Sequence, residues 1–462
     1  MLRLRSQRVV FGSGESLRVA PGWIDLEGAA IVAKGQGLPP DDNVEVRDFG
    51  EHLITPGLVN AHTHVALIAL RGGVGAATSG NVVEDLFYRV EAHLSPADVR
   101  AFARMGAWES LLAGVGLVWD HYFFGDALAE GIADTGLAAV VGPTLQDLAG
   151  PGQDRWQQQL EATIRLAEDP RPTVFAALAP HATDTVSDAL FDRVARLAET
   201  HRLPVHMHLA QSPEEYARAM SRHGTSPWGM LHKIGFLERV SGVFAHALYV
   251  RRDELRRVGE RHTFVACPYA QLQFGFPAPV DEWYQAGVPW VVATDCAASN
   301  DSMSLRKELR FVAGLRTLGT SCSPVYDAFL AGTGDPAAVW NARQERYGRF
   351  APGAAARPLL DRVWGRPGRL HPSFRAGCLE AGALANVVVW DATHPAFWPA
   401  RDLLSTLVFG DVDGAIHAMF VAGREIGIAG DFAHSIVASS LYRAHREEAT
   451  ERLRALLARA GA

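Results

Sequence analysis

Eight short apolar runs, each followed by a longer stretch with helical spacing, constrain this chain more than any other feature. Alternating strand and helix units are typical of parallel β-sheets covered by helices. The runs cover residues 58–62, 116–119, 138–141, 174–178, 204–208, 242–246, 263–266 and 290–294. Eight such units match a closed barrel better than an open sheet. The sequence therefore predicts an α/β fold whose main part, residues 55–362, is a (β/α)8 TIM barrel.

The two chain ends carry a different pattern. Residues 2–46 contain short apolar runs broken by Gly and Pro, and strand-like segments return at 385–390 and 415–424. Short strands with such punctuation are typical of small β-structures. We therefore expect residues 1–54 and 363–434 to build one β-sandwich beside the barrel.

The last segment, residues 435–462, has helical periodicity. Leu441, Leu453, Leu456 and Leu457 recur at helical spacing among Arg and Glu residues. A stripe of this kind predicts a helix that packs against the rest of the chain rather than one that lies on a membrane.

Composition excludes several classes of partner and compartment. The net charge is −7, and the Arg residues are scattered among acids, so neither nucleic acid nor a membrane is an expected partner. Four irregularly spaced cysteines do not form a disulfide framework or a thiolate metal site. No run approaches the roughly 18 apolar residues of a membrane span, and the start of the chain lacks the apolar segment of a signal peptide. We therefore expect a cytoplasmic protein.

Histidine and aspartate side chains follow several of the predicted strands. His62 and His64 are two apart after the first run, and residues two apart on a strand share a face. Four more candidate groups stand at later strand ends, namely His181, His208, His246 and Asp295. Barrel enzymes place their chemistry at these carboxyl ends, and imidazoles with a carboxylate suit a divalent metal. One pair would be weak evidence, but six groups make coincidence a poor explanation.

These residues resemble the motifs of the amidohydrolase superfamily, in the branch of nucleoside and guanine deaminases and triazine hydrolases. The matching segments are 55–64, 179–182, 206–210, 245–246 and 293–301. The resemblance covers nearly the whole chain. It implies a hydrolase whose single divalent ion, zinc or else iron, activates water against a carbon–nitrogen or similar bond.

The resemblance also implies a role for each group. His62, His64, His208 and Asp295 would be the metal ligands. Asp295 would also be catalytic, because it can take a proton from the attacking water and return it to the leaving group. His246 would be the catalytic histidine that orients the water.

Three further positions have both a binding and a structural interpretation. His181 resembles the family's substrate-contacting histidine, or it is an oriented residue at a strand end. Glu84, in the loop after the first strand, meets a substrate hydroxyl or amine, or it begins a helix. His206 shares a strand face with His208 one layer deeper, where a satisfied core histidine is the better interpretation.

Gln211 departs from the family pattern, since deaminases of this branch usually carry a glutamate there that protonates a ring nitrogen. An amide donates a hydrogen bond but cannot deliver a proton at ordinary pH. Glu214 or Glu215 would replace the acid, although both also fit the solvated first turn of a helix. Alternatively, the substrate needs no ring protonation, so Gln211 is a catalytic and substrate-binding residue that polarises and positions it. As a third possibility, the protein has kept the fold and lost the catalytic activity.

Two other departures concern the pocket. Residues 265–271 differ from relatives around Cys267, and the loop over residues 71–87 lacks a Trp that many nucleoside-handling members carry. The segment 119–124 adds aromatic residues suited to a flat heterocycle. These differences weaken the transfer of any particular nucleoside substrate.

The sequence thus favours an aminohydrolase that releases ammonia from a small nitrogen heterocycle, with the intact metal ligands favouring the second explanation for Gln211. The runner-up is a hydrolase that displaces a substituted amine or another leaving group, as in triazine hydrolases. A metal-containing binding protein without turnover is the alternative from a different class. The resemblance also implies a homodimer.

Overall fold

The structure is a computed structural model that describes residues 1–73, 83–169, 171–273, 275, 277–321, 323–350 and 353–461. Residues 74–82, within the loop that lacks the Trp, and Cys322 lie outside the described residues. The other three cysteines, Cys267, Cys296 and Cys378, are free thiols.

The described strands form three sheets and are numbered in chain order. They are β1 (Leu2–Phe11), β2 (Arg18–Glu27), β3 (Ala30–Gln36), β4 (Glu45–Asp48), β5 (Leu53–Pro56), β6 (Leu58–Thr63), β7 (Val115–Tyr122), β8 (Ala138–Leu145), β9 (Val174–Ala176), β10 (Ala179–Pro180), β11 (Val205–Leu209), β12 (Gly242–His246), β13 (His262–Ala266), β14 (Trp290–Val292), β15 (Val387–Trp390), β16 (Ile416–Val421) and β17 (Arg424–Ile426).

The described α-helices lie mostly between the strands of the middle segment. They are α1 (Tyr88–Glu91), α2 (Pro96–Leu112), α3 (Gly125–Ala133), α4 (Trp156–Glu168), α5 (Asp188–His201), α6 (Pro213–His223), α7 (Pro227–Lys233), α8 (Arg252–Leu255), α9 (Pro268–Gln273), α10 (Val280–Gln285), α11 (Ala297–Asn300), α12 (Leu305–Ser321), α13 (Pro324–Leu330), α14 (Pro336–Phe350), α15 (Ala356–Asp361), α16 (Leu403–Phe409), α17 (Phe432–Val437) and α18 (Ser440–Ala460).

Parallel strands form a curled sheet from β6 to β14, and each of the eight predicted apolar runs contains a strand. One part pairs β6, β7, β8, β9 and β10, and the other pairs β11 to β14. Parallel bridges join Leu178 to Val205 and Thr63 to Asp295, at the outer strands of the two parts. All residues of β7 and β8 are buried, as expected for parallel strands covered on both faces.

Serine side chains begin four of the helices that cover this sheet. Ser95 forms a capping box at α2, and Ser187, Ser212 and Ser226 accept hydrogen bonds from the first turns of α5, α6 and α7. These bonds satisfy backbone N–H groups that a helix start leaves unpaired. The positions where α5 and α6 leave the sheet are thereby fixed.

Strands from both chain ends join one eight-stranded sheet, ordered β17-β16-β15-β5-β1-β2-β3 with β4 beside β1. Successive side chains of a strand point to opposite faces of this sheet. Val387 and Val389 lie in a small core of this sheet, whereas Val388 and Trp390 pack into the large core of the parallel sheet. The sandwich form and its boundary at residue 54, which falls inside β5, stay predictions.

The C-terminal helix α18 packs against α2. Trp108 Nε1 donates to His445 Nδ1 at 3.1 Å, and Arg104 pairs with Glu448 at 2.6 Å. His445 and Leu456 are buried in this contact region. In the described part of the chain, no helix has both the length and the apolar character to cross a bilayer.

Asn386 connects the eight-stranded sheet to the parallel sheet and is 1% exposed. Its Nδ2 donates to the Gly116 carbonyl at 2.9 Å, and its Oδ1 accepts from the Ala422 N–H at 2.8 Å. The Asn386 side chain therefore gives hydrogen-bond partners to one backbone carbonyl and one backbone N–H.

We therefore expect Asn386→Ala to lower the free energy of unfolding by about 1–3 kcal/mol, the usual cost of leaving buried polar groups unpaired. Urea unfolding followed by circular dichroism measures the change. The control, Gln157→Ala, removes an exposed amide and should shift stability by less than about 0.5 kcal/mol. Equal midpoints for the two variants would contradict the assignment.

Candidate active site

The ends of four strands bring the predicted metal ligands and His246 together. His62 lies near the carboxyl end of β6 with His64 just after it, His208 lies on β11, His246 ends β12, and Asp295 follows β14. Ligand atoms of His62, His208 and His246 lie within 4.8 Å of one another, as do those of His62, His64 and Asp295. All five side chains are buried. The predicted ligands therefore form one cluster, and His246 lies inside it.

Hydrogen bonds at Nδ1 orient the imidazoles. His208 Nδ1 donates to the His181 carbonyl at 3.1 Å, and His64 Nδ1 donates to the His121 carbonyl. His62 Nδ1 lies 2.8 Å from His206 Nε2. Since one ring nitrogen of each is engaged, the Nε2 atoms of these three histidines are left for the centre.

The Nε2 atoms converge with the Asp295 carboxylate. His64 Nε2 lies 3.2 Å from His208 Nε2 and 3.6 Å from Asp295 Oδ1. His62 Nε2 lies 3.8 Å from the same oxygen and has no hydrogen-bond partner among the described residues. A buried nitrogen lone pair without a donor, facing others beside a carboxylate, fits a divalent cation.

Burial keeps these imidazoles neutral. It lowers the pKa of His64 to about 4 and, with the neighbouring His64, the pKa of His246 to about 3. Neutral imidazole is the form that binds a metal. Burial raises the pKa of the Asp295 carboxyl to about 7, and an adjacent cation would lower it again.

Left-handed backbone places several groups at the strand ends. The φ angles are +75° at His246, +47° at Ala247, +60° at Asp295 and +48° at Ala210. Each such residue with a Cβ atom costs on the order of 1 kcal/mol and persists only where its surroundings enforce it. The strain is concentrated where the candidate ligands leave the sheet.

Two neighbours of the cluster, Asp120 and His121, have roles that the sequence did not assign. Asp120 Oδ2 accepts from the Val65 N–H at 2.7 Å and so holds the turn that follows His64. The buried His121 ring stacks on His208 with centroids 4.8 Å apart. Both follow from the position of 119–124 at the end of β7, which was the available signal.

His206 is more than a satisfied core histidine. It contacts His62 through Nε2, while its Nδ1 has no partner among the described residues. For His62 to bind a metal through Nε2, its Nδ1 must carry the proton and donate it to His206. His206 therefore positions a candidate ligand and selects its tautomer.

Gln271, in the segment that differs from relatives, contacts His246. Its Nε2 lies 3.4 Å from His246 Nδ1 and 3.4 Å from the His246 carbonyl. The Gln271 Oε1 accepts from the Ala278 N–H at 3.0 Å. The amide therefore links the strained end of β12 to the loop before α10.

The three predicted substrate residues line one cavity of about 320 Å³ beside the cluster. It includes Glu84, His181 and Gln211, and further lining side chains are Tyr88, Asp184, Glu215 and Arg218. Glu84 lies in the helical turn Val83–Phe87, so it both begins a helix and lines the cavity. The structure thus brings together all three residues, and the predicted roles stay predictions.

Of the two interpretations given for Glu214 and Glu215, the solvated helix start holds for Glu214 and is wrong for Glu215. Glu214 is exposed, but Glu215 is 2% exposed. Its carboxylate accepts from the Gln211 N–H at 2.8 Å and from Thr183 Oγ1 at 2.6 Å. The acid turns back onto the loop before α6, and no pattern in the sequence indicates that direction.

A comparison of the sequence with known protein families agrees with this geometry. The model of the Amidohydrolase family matches residues 53–357, more than half of the chain. The chain belongs to the amidohydrolase family. The membership predicted from the motifs is thereby confirmed.

Similar proteins of this family span nearly the whole chain. A 5-methylthioadenosine/S-adenosylhomocysteine deaminase of Nitratidesulfovibrio vulgaris is 32% identical over 435 residues, which cover 92% of this chain and 90% of the relative. An adenosine deaminase from Xanthomonas campestris with bound zinc has a TM-score of 0.79 at 24% identity, covering 98% of both chains. Atrazine chlorohydrolase from Arthrobacter aurescens with zinc has a TM-score of 0.76 at 22% identity, covering 99% of this chain and 100% of the other.

We expect His206→Ala to weaken zinc binding about 10- to 100-fold, because His62 loses the acceptor that fixes its tautomer. Competition with a chromophoric chelator measures the dissociation constant. His206→Gln, whose amide oxygen can accept the same hydrogen, should recover part of the affinity. His434→Ala, which removes an exposed histidine, is the matched control. Unchanged affinity in His206→Ala would show that the ring only fills space.

Proposed function

We propose that the protein is a metal-dependent aminohydrolase that releases ammonia from a small nitrogen heterocycle. The observation that carries the proposal is the convergence of His62, His64, His208 and Asp295 around one buried point, beside a cavity suited to a small molecule. Similar proteins named as deaminases support the choice of reaction.

The four ligands would hold one divalent ion, for which we propose zinc. Neutral imidazoles and a carboxylate suit zinc, and two solved structures of similar fold contain it. When bound, the ion supplies Lewis-acid chemistry that lowers the pKa of water toward about 7.

The chain's own residues perform the proton transfers. Asp295 accepts a proton from the attacking water and returns it to the departing amine. His246, held at its Nδ1 side by Gln271, orients the water. His181, whose Nδ1 lies 2.9 Å from Thr185 Oγ1, contacts the heterocycle.

Gln211 positions and polarises the substrate in this proposal. Glu215 does not replace the missing acid, because its two oxygens already accept from Thr183 and from the Gln211 backbone. Burial raises the pKa of Glu215 to about 7 and outweighs the opposing effect of these bonds, so the engagement of both oxygens, and not the pKa, argues against Glu215 as the acid. The substrate carbon must then be electrophilic enough to react without full protonation of the ring.

The same feature favours a second candidate reaction. A substrate that needs no ring protonation can carry a leaving group other than ammonia, such as a substituted amine. One protein of similar fold is named an atrazine chlorohydrolase, and this name refers to a leaving group other than ammonia. A binding protein without turnover is the remaining alternative.

We further propose that the curled sheet is a closed (β/α)8 barrel. The Thr63–Asp295 and Leu178–Val205 bridges, at the two junctions of its parts, support closure. Assembly as a homodimer and location in the cytoplasm stay predictions.

Zinc-loaded protein should release ammonia from at least one member of a panel of aminopurines, pterins, triazines and adenosine derivatives. Protein stripped by a chelator should not, and Asp295→Asn should lower kcat by about 10²- to 10⁴-fold, the usual value of a positioned acid–base group. Asp253→Asn, an exposed aspartate, is the control. Metal-dependent loss of the substrate without ammonia would instead favour the second reaction.

Gln211→Glu should lower kcat/KM for the native substrate by roughly 10- to 100-fold, because an ionised carboxylate cannot donate the hydrogen bond of the amide. Steady-state kinetics on the active member of the panel measures the change. A large gain of deaminase turnover would overturn this account of Gln211 and support a protein that had lost its acid.

A further inference from the structure

We infer that the cavity beside His181 is an acidic subsite, which selects substrates whose substituent is cationic or rich in hydrogen-bond donors and rejects anionic substituents. This inference rests on the proposed function and names the substrate class of the same site. The acidic subsite is defined by the carboxyl groups of Glu84, Asp184 and Glu215 and by the guanidinium of Arg218, all of which line the cavity.

Arg218 is shared between two of the carboxylates. Its Nη1 donates to Asp184 Oδ2 at 2.9 Å, and its Nη2 donates to Glu84 Oε1 at 2.8 Å. The two bonds use both ends of the guanidinium fork. Arg218 keeps further N–H groups, but its positive charge is already balanced by two carboxylates, so an anionic substituent that approached it would also face both of those charges.

The third carboxyl has no cation beside it. Glu215 accepts from Thr183 and from the Gln211 N–H, which are neutral donors. Burial raises the pKa of Glu215 to about 7, so it is partly ionised at neutral pH. Burial also raises the pKa of Asp184, although the ion pair with Arg218 opposes that shift. One guanidinium thus faces three carboxyls, so the acidic subsite is negative when these carboxyls are ionised.

Other nearby bases do not change this balance. His181 Nδ1 lies 2.9 Å from Thr185 Oγ1, so that nitrogen is engaged by a neutral hydroxyl. Arg222, one turn further along α6, donates to the Thr183 carbonyl at 3.1 Å and pairs with Asp188. Arg218 is the one Lys or Arg side chain among the described residues that line the cavity.

The acidic subsite lies where a substituent of the heterocycle would go. His181 and Gln211 separate it from the metal cluster, and the His181 and His208 rings lie 4.8 Å apart. A ring held by these two residues shares its cavity with Asp184, whose side chain is only 8% exposed. A partly enclosed carboxylate is screened less by salt than an exposed one and discriminates charge more strongly.

Two matched analogues test the inference. Isothermal titration calorimetry with zinc-loaded native protein compares 5′-amino-5′-deoxyinosine with inosine 5′-carboxylic acid, which lack the amino group that would be released and are therefore not turned over. We expect the cationic analogue to bind at least about 30-fold more tightly. Equal affinities, tighter binding of the anion, or binding of neither analogue would overturn the inference.

Charge variants separate the acidic subsite from general effects. Adding Glu84→Gln and Asp184→Asn leaves Arg218 unpaired and should reduce the preference for the cation at least about tenfold, whereas Arg218→Gln should increase it. Glu214→Gln makes the charge change of one of these two substitutions on the exposed side of α6 and should leave the preference unaltered. Circular dichroism checks that each variant is folded.

The proposed function can fail separately. Native protein that selects the cationic analogue but releases no ammonia from any panel member would retain the acidic subsite and reject the aminohydrolase. Ammonia release without charge preference would do the reverse.

Discussion

The parallel bridge between Thr63 and Asp295 is the contact on which the rest of the site depends. It joins the end of β6 to the residue that follows β14, and the Asp295 N–H donates to the His62 carbonyl at 3.2 Å. Asn60 strengthens the same junction, because its side chain accepts from the Thr294 N–H and donates to Thr294 Oγ1. These hydrogen bonds therefore hold His62 and His64, from early in the chain, next to Asp295, from far along it. A candidate metal site assembled this way exists only while this junction of the sheet is intact.

Orientation of the ligands comes from a layer of polar contacts around the cluster. The His64 and His208 rings donate to backbone carbonyls, which cannot rearrange without moving a strand end. His62 differs, since its partner His206 is itself a side chain with two possible tautomers. This makes the His62 ring the ligand most sensitive to substitution nearby. It also explains why a histidine inside the sheet, rather than an apolar residue, is compatible with the buried position 206.

The sequence predicted those features that depend on one residue type at one kind of position. Buried parallel strands need apolar runs, and chemistry at their carboxyl ends needs polar groups there, so His62, His208 and Asp295 were found from the pattern alone. Features that depend on the direction of a side chain were not found. Glu215 occupies the first turn of α6 like any acid that favours a helix start, and only the path of the loop before α6 turns it inward. The contact of His206 with His62 likewise joins β11 to β6, two strands that are far apart in the sheet order.

The substitution at Gln211 and the inward turn of Glu215 are best understood together. With glutamates at both positions, two carboxyl groups would share the space around the loop at Ala210, and repulsion would raise the pKa of one of them. A neutral amide at 211 adds no such repulsion, so the pKa of Glu215 stays near the value of about 7 that burial sets, and its oxygens accept from the Gln211 N–H and Thr183. These hydrogen bonds hold the loop. In the proposed reaction the substrate carbon must therefore be activated already, and Asp295 in the candidate metal cluster serves as the acid–base group.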